Sequence, residues 1–173
     1  FISAHGFNTC PVLYSDLVII NGDHEGDAYI VALERETGKE RWRIERENKT
    51  RSYVTPIIRE ISGRTQMVLS GSKSVASYDP STGKRHWVMD GPTEQFVASM
   101  VYNGEFLFVT GGFPQRHILA IRPDGKGDVT KTHIAWRTNR GAAYVPSPIV
   151  EGPYFLVVSD NGIASCFTAK DVK

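Results

Sequence analysis

Short apolar runs separated by polar turn formers recur along the whole chain. Four of them, Leu-Val-Ile-Ile (17–20), Met-Val-Leu (67–69), Phe-Leu-Phe-Val (106–109) and Phe-Leu-Val-Val (155–158), are apolar throughout rather than alternating. Continuous apolarity over so short a run marks a β-strand covered on both faces. Around each lie other β-rich runs. In the second quarter of the chain they are "YVTPII" (53–58), "TQMVLSG" (65–71), "SVASYD" (74–79) and "RHWVMD" (85–90). Comparable sets precede them ("NTCPVLY", "LVIING", "AYIVALE", "RWRIE") and follow them ("FVASMVY", "FLFVTGG", "HILAIR", "HIAWRT"). Turn formers divide the runs: 23–26, Ser62-Gly63, Asn103-Gly104 and 160–162. Four strands in ~44 residues leave about 11 residues for each strand and its turn, too few for crossover helices, so each set is an antiparallel meander.

The sets are copies of one another. Aligning "TCPVL", "VTPII", "VASMV" and "PSPIV" places Cys10, Thr55, Ser99 and Ser147 in register, at spacings of 45, 44 and 48 residues. Trp42 follows Cys10 by 32 residues and Trp87 follows Thr55 by 32, whereas Trp136 follows Ser99 by 37. The segment "GKGDVTKTHIA" is expected to lengthen the turn that precedes Trp136. Four-stranded meanders with a period of about 40–50 residues, packed face to face, are the blades of a β-propeller. The expected fold is all-β, a partial propeller of about four antiparallel four-stranded blades, at roughly 5–47, 51–91, 94–139 and 143–173, the last one truncated.

Within the period one stretch is written twice, as "ALERETGKERW" (32–42) and "SYDPSTGKRHW" (77–87). Asp79 can accept hydrogen bonds from backbone N–H groups two residues on, and Pro80 pre-sets a turn. Gly83 supplies the positive φ that closes it. Trp87, four residues later on the outermost strand, is expected to lie over the neighbouring blade as a clasp. This stretch resembles the tryptophan-docking motif of the PQQ-like repeat propellers, which include pyrroloquinoline-quinone alcohol dehydrogenases and BamB-like outer-membrane assembly factors. Ala32, Thr37, Gly38 and Trp42 match that motif, with Glu34 in place of its acid. Asp79, Thr82, Gly83 and Trp87 match as well, with Ser77 in place of its alanine. The third copy keeps Ala120, Gly125 and Trp136, and the fourth reaches "CFTAKD".

By the 32-residue spacing, the fourth copy's tryptophan is due near position 179, whereas the sequence runs to Lys173. The resemblance implies seven or eight blades and hence a fragment whose first partner is the rest of its own propeller. Unpaired edges and uncovered blade faces make such a segment marginally stable or prone to aggregate alone, and a sharp cooperative thermal transition of a monodisperse chain would contradict this.

Composition changes the picture only by exclusion. A net charge of +1 gives no electrostatic reason to expect nucleic acid or anionic lipid, and no apolar run approaches the ~20 residues of a membrane span. Cys10 and Cys166 fit neither a redox nor a zinc spacing and are expected to be small buried hydrophobes. The five histidines (His5, His24, His86, His117, His133) lack i, i+2 or i, i+4 pairing, and no metal site is predicted. His133 is expected at a surface or strand edge. "NGDHEGD" (21–27) begins like a calcium loop, yet its twelfth place is Ala32, so a polar hairpin loop is expected. "GGFPQRH" (111–117) joins two strands and reads as another hairpin.

The functional candidates are positional. The starts of innermost strands converge on a propeller axis, where ligands and partners sit. Counting back from the aligned small residues reaches His5, Arg51, Gln95 and Ala143, with Ser52, Phe96 and Tyr144 adjoining. His5, Arg51, Gln95 and Tyr144 are the candidates to line the funnel mouth and bind an anionic or polar ligand.

Two functions follow from the resemblance. The favoured one is a non-catalytic scaffold offering loops or funnel to a protein or carbohydrate partner, with no cofactor and an extracytoplasmic location. The alternative is a fragment of a pyrroloquinoline-quinone- and calcium-dependent alcohol or sugar dehydrogenase. That chemistry needs an axial quinone, a carboxylate base and a polarising cation. An adjacent Cys-Cys pair covers the quinone in well-known members, and the sequence contains none.

Overall fold

Sixteen β-strands, and no helix among the described residues, follow one another as four sheets. The structure is a computed structural model that describes Gly6, residues 9–91 and residues 93–172. The first sheet runs β1 (Val12–Tyr14), β2 (Leu17–Gly22), β3 (Tyr29–Glu34), β4 (Glu40–Glu45). The second contains β5 (Ile57–Ile61), β6 (Arg64–Gly71), β7 (Ser74–Tyr78) and β8 (Arg85–Asp90). The third is built from β9 (Val101–Tyr102), β10 (Leu107–Gly111), β11 (His117–Ile121) and, after β12 (Gly127–Asp128), β13 (Ile134–Thr138). The fourth holds β14 (Ile149–Glu151), β15 (Tyr154–Val158) and β16 (Ala164–Thr168). Within each sheet, strands adjacent in sequence pair antiparallel, the meander expected from the short repeat.

The ladders are in the same register from sheet to sheet. Ala32 faces Trp42, Ser77 faces Trp87 and Ala120 faces Trp136, and in each case the register shifts one residue later, at a bulge. Three apolar clusters fill the spaces between successive sheets. Ile19, Ile30 and Trp42 meet Met67, Leu69 and Tyr78; Val68, Trp87 and Met89 meet Met100, Leu107 and Leu119; Phe108 and Trp136 meet Phe155 and Phe167. Each of the inner two sheets therefore gives one face to the sheet before it and the other to the sheet after it, which is why their central strands carry no polar alternation.

The fourth sheet has three strands, as a last repeat one strand short requires. Two features depart from the expected pattern. The second sheet has five strands, because the segment read as a longer turn crosses back: β12 pairs parallel with β8, Gly127 beside Trp87 and Asp128 beside Val88. That added strand covers an edge that would otherwise expose unpaired backbone groups. The innermost strands also begin later than "NTCPVLY" and "YVTPII" suggest, after Pro11 and Pro56, which have no N–H to donate to a ladder.

Candidate functional site

The crossovers from one sheet to the next meet one another and the ends of the second strands. These meetings are made by backbone and short polar side chains. Asn21 donates to Val54 O at 3.3 Å and Tyr53 N–H to Phe96 O at 2.9 Å. Thr110 Oγ1 and the backbone of Ala143 exchange two bonds of 3.1 Å. Buried amides are thus paired from sheet to sheet, fixing where each crossover lies.

On this framework Gln95 and Tyr144, 49 residues apart, come together: the Tyr144 hydroxyl donates to Gln95 Oε1 at 3.1 Å. Gln95 is itself bridged to Phe113, whose N–H donates to Gln95 O at 3.2 Å, and the Phe113 ring lies 6.3 Å from the Tyr144 ring. Arg51, from the preceding crossover, is within electrostatic reach of Tyr144. Burial, and then the Tyr53 phenol, push the Tyr144 pKa upward, and the Arg51 charge only partly opposes them. The Tyr144 hydroxyl therefore stays protonated and able to donate at neutral pH.

The sequence reading missed the groups that hold this cluster. Glu25 pairs with Arg51 at 2.7 Å, and Arg116 lies 3.5 Å from Asp160. Asp160 accepts from the N–H groups of Tyr144 (2.8 Å) and Val145 (3.0 Å). Burial works against the Asp160 charge, but these amides and Arg116 outweigh it and lower its pKa. Glu25 and Asp160 lie in the hairpin loops after the second strands, far in sequence from the crossovers, so no spacing rule pointed to them. Ala143, reached by the same count, and the adjoining Ser52 and Phe96 are buried in the framework rather than facing outward. His5 lies outside the described residues.

The repeated stretch makes its contacts at the opposite end. Thr37 donates to Glu34, and Asp79 Oδ1 accepts from Ser81 N–H and Thr82 N–H. Trp42 Nε1 donates to Pro80 O (3.1 Å) and Trp136 Nε1 to Ala169 O (3.0 Å), each in the following sheet. Trp87 differs. It is fully buried, and its Nε1 donates 2.9 Å to Gln66 Oε1 within its own sheet; Gln66 Nε2 then donates 2.9 Å to Pro123 O of the next.

The hairpin 21–27 is a polar loop, but part of it is internal. The Asp23 carboxylate accepts from Arg46 at 2.8 and 3.3 Å, and Arg46 also donates 3.1 Å to the Tyr78 hydroxyl of the second sheet. Burial works to lower the Arg46 pKa, yet the charge of Asp23 and the Tyr78 contact outweigh it and raise the value. His117 is buried, and burial holds its pKa down at about 4 despite a backbone contact with Gln115 that favours protonation. His133 is partly exposed just before β13, 3.6 Å from Asp124. Among the described residues no three His, Cys, Asp or Glu side chains converge as a metal donor set. Cys10 and Cys166, expected to be buried, are instead free and exposed, because neither side chain lies between two of the described sheets.

Residues 3–172 match the family model described as outer membrane protein assembly factor BamB, so the chain belongs to that family. A curated relative, the lanthanide-dependent methanol dehydrogenase of Methylacidiphilum fumariolicum (strain SolV), is 29% identical over 150 residues, 78% of this chain and 22% of that protein. Among solved structures, BamB from Moraxella catarrhalis superposes with a TM-score of 0.66 at 15% identity, over 99% of this chain and 49% of that one. Quinohemoprotein alcohol dehydrogenase from Comamonas testosteroni gives 0.63 at 16% identity, over 96% of this chain and 34% of that one. The fold is that of these propellers, and the chain spans half or less of each relative's length.

Proposed function

We propose that the chain is a non-catalytic scaffold segment that binds a protein or polar ligand through the end of the sheets carrying Arg51, Gln95 and Tyr144. The observation behind this reading is the cross-sheet array itself. It offers a phenol, a carboxamide and an ion-paired guanidinium on neighbouring crossovers, beside an exposed aromatic ring (Phe113) from the hairpin between β10 and β11, a composition suited to a protein interface. The family match supports a scaffold role and an extracytoplasmic location. No helix among the described residues is long and apolar enough to cross a membrane.

A second reading, a segment of a quinone-dependent alcohol dehydrogenase, is favoured by the curated methanol dehydrogenase relative. The described residues do not fit a quinone–metal site by themselves: no three His, Cys, Asp or Glu side chains converge among them, and Asp160 is committed to the 144–145 backbone.

The test places a photo-crosslinking residue at Gln95 in the full-length protein in its native cell, with Glu36 as the exposed control. A discrete adduct at position 95, absent at 36 and lost on Arg51→Ala, is expected. No adduct, together with dye reduction after loading with pyrroloquinoline quinone and Ca²⁺ or La³⁺, would replace this reading with the dehydrogenase.

A further inference from the structure

The repeat allows the junction between the first two sheets to be compared, position by position, with the junction between the second and third. Ser77 facing Trp87 and Ala120 facing Trp136 fix the register, so Val88, which faces Ala76, corresponds to Arg137, which faces Leu119. Arg46 and Gly91 each stand four residues after the tryptophan of their sheet. At the first junction Arg46 reaches across to the Tyr78 hydroxyl and occupies part of the space between the sheets. At the second, Gly91 has no side chain to do so, and a Cβ there would stand 2.9 Å from the backbone of Lys73 and Ser74. The hairpin after the second strand differs as well: Gly71 and Ser74 bracket two residues, whereas Gly111 and His117 bracket five.

These departures leave a groove of about 890 Å³ between the second and third sheets, against about 450 Å³ at the first junction. Asp90 and Gly91 line one side, and Gln115, His117, Arg137 and Asn139 line the other above an apolar strip of Leu119 and Ile134. The side chains of Asp90, Gln115, Arg137 and Asn139 are exposed and make no hydrogen bond or ion pair among the described residues. All four end in planar groups that hold two hydrogen bonds at fixed angles. The buried His117 ring turns Nδ1 to Gln115 O at 3.3 Å, and its Nε2 is an acceptor with no partner. Charge balances across the groove, Asp90 against Arg137, while Arg116 at its rim lies 3.5 Å from Asp160. None of the large, exposed apolar side chains lines it, so it lacks the anchor that a protein partner would bury.

We propose that this groove is a carbohydrate-binding site that takes a neutral mono- or disaccharide. A hydroxyl both donates and accepts, so adjacent sugar hydroxyls meet the carboxylate of Asp90, the guanidinium of Arg137 and the carboxamides of Gln115 and Asn139 at once. The C–H face of the sugar ring lies along Leu119 and Ile134, in the pattern of an apolar wall with a few convergent polar groups. The absence of net charge selects a neutral sugar over an acidic or a basic one.

The test is saturation-transfer NMR on the full-length protein, with maltose, cellobiose and glucuronate as probes. Transfer to the ring protons of a neutral disaccharide is expected, with millimolar or tighter affinity. Arg137→Val and Asp90→Asn should each weaken it at least tenfold. These substitutions carry the residues that the repeat itself holds at the two positions, Val88 and Asn139, so both variants should keep the parent denaturant midpoint. No transfer to either disaccharide, or transfer that survives both substitutions, would overturn the proposal. Tighter binding of glucuronate than of both disaccharides would overturn it too, by making the groove an anion site. None of these outcomes bears on the crosslink at Gln95, since neither Asp90 nor Arg137 belongs to that array.

Discussion

The indole of Trp42 lies so closely over Gly83 that a Cβ built there would stand 2.9 Å from Trp42 Cε3. The same turn in the first sheet centres on Gly38, where φ is +69° against +72° at Gly83, and a Cβ there would meet nothing within 4 Å. The pair separates two costs that usually come together: positive φ and close packing. Gly38→Ala is expected to cost about 1 kcal/mol and Gly83→Ala about 2–3, read by urea denaturation. Equal losses would mean that the indole contact adds nothing.

Gln66 is buried with its carboxamide fully used. It donates to Ile61 O and Pro123 O and accepts from Trp87 Nε1 and Ser77 Oγ. Gln66→Leu would leave these buried partners unmatched, for an expected loss of about 2–4 kcal/mol. Trp42→Phe removes one part-buried bond and should cost less. Denaturant midpoints of the two variants test the order.

Arg46 and Asp23 form the one ion pair among the described residues with both side chains nearly inaccessible, 3% and 0% exposed. Arg46→Met should lose about 3–5 kcal/mol because it strands a buried carboxylate. Adding Asp23→Asn should recover part of that loss, and a double-mutant cycle in urea measures how much.

His117 makes stability depend on pH with a definite sign. Its folded pKa of about 4 lies below the usual 6.5, so the unfolded chain binds the proton more tightly. The contribution is complete above about pH 6.5 and is lost as pH falls toward 4, at up to ~1.4 kcal/mol per unit. His117→Gln should flatten the stability profile between pH 6.5 and 4 relative to the parent chain. An unchanged slope would place the pH dependence elsewhere.

The repeat was legible because every sheet needs the same parts: a small residue facing an indole, a tight turn, and a central strand covered on both faces. The aligned positions even meet in space, with Ser99 N–H donating to Ser147 Oγ at 2.9 Å and Cys10 N–H to Thr55 Oγ1 at 3.2 Å. Gln95 and Tyr144 were reachable by counting from that register. Their neighbours Glu25 and Asp160 were not, because hairpin-loop residues obey no period and are brought in only when successive sheets stack.

By itself the sequence determined the meander, its period and its all-β class, since these depend on local turn chemistry and on which residues must be covered. Only the tertiary structure decided that 124–133 crosses back to lay a parallel strand on β8. It alone routed the Trp87 bond through Gln66 and buried Arg46 against Asp23. Such pairings join residues tens of positions apart, and their energy exists only once two sheets have excluded water between them.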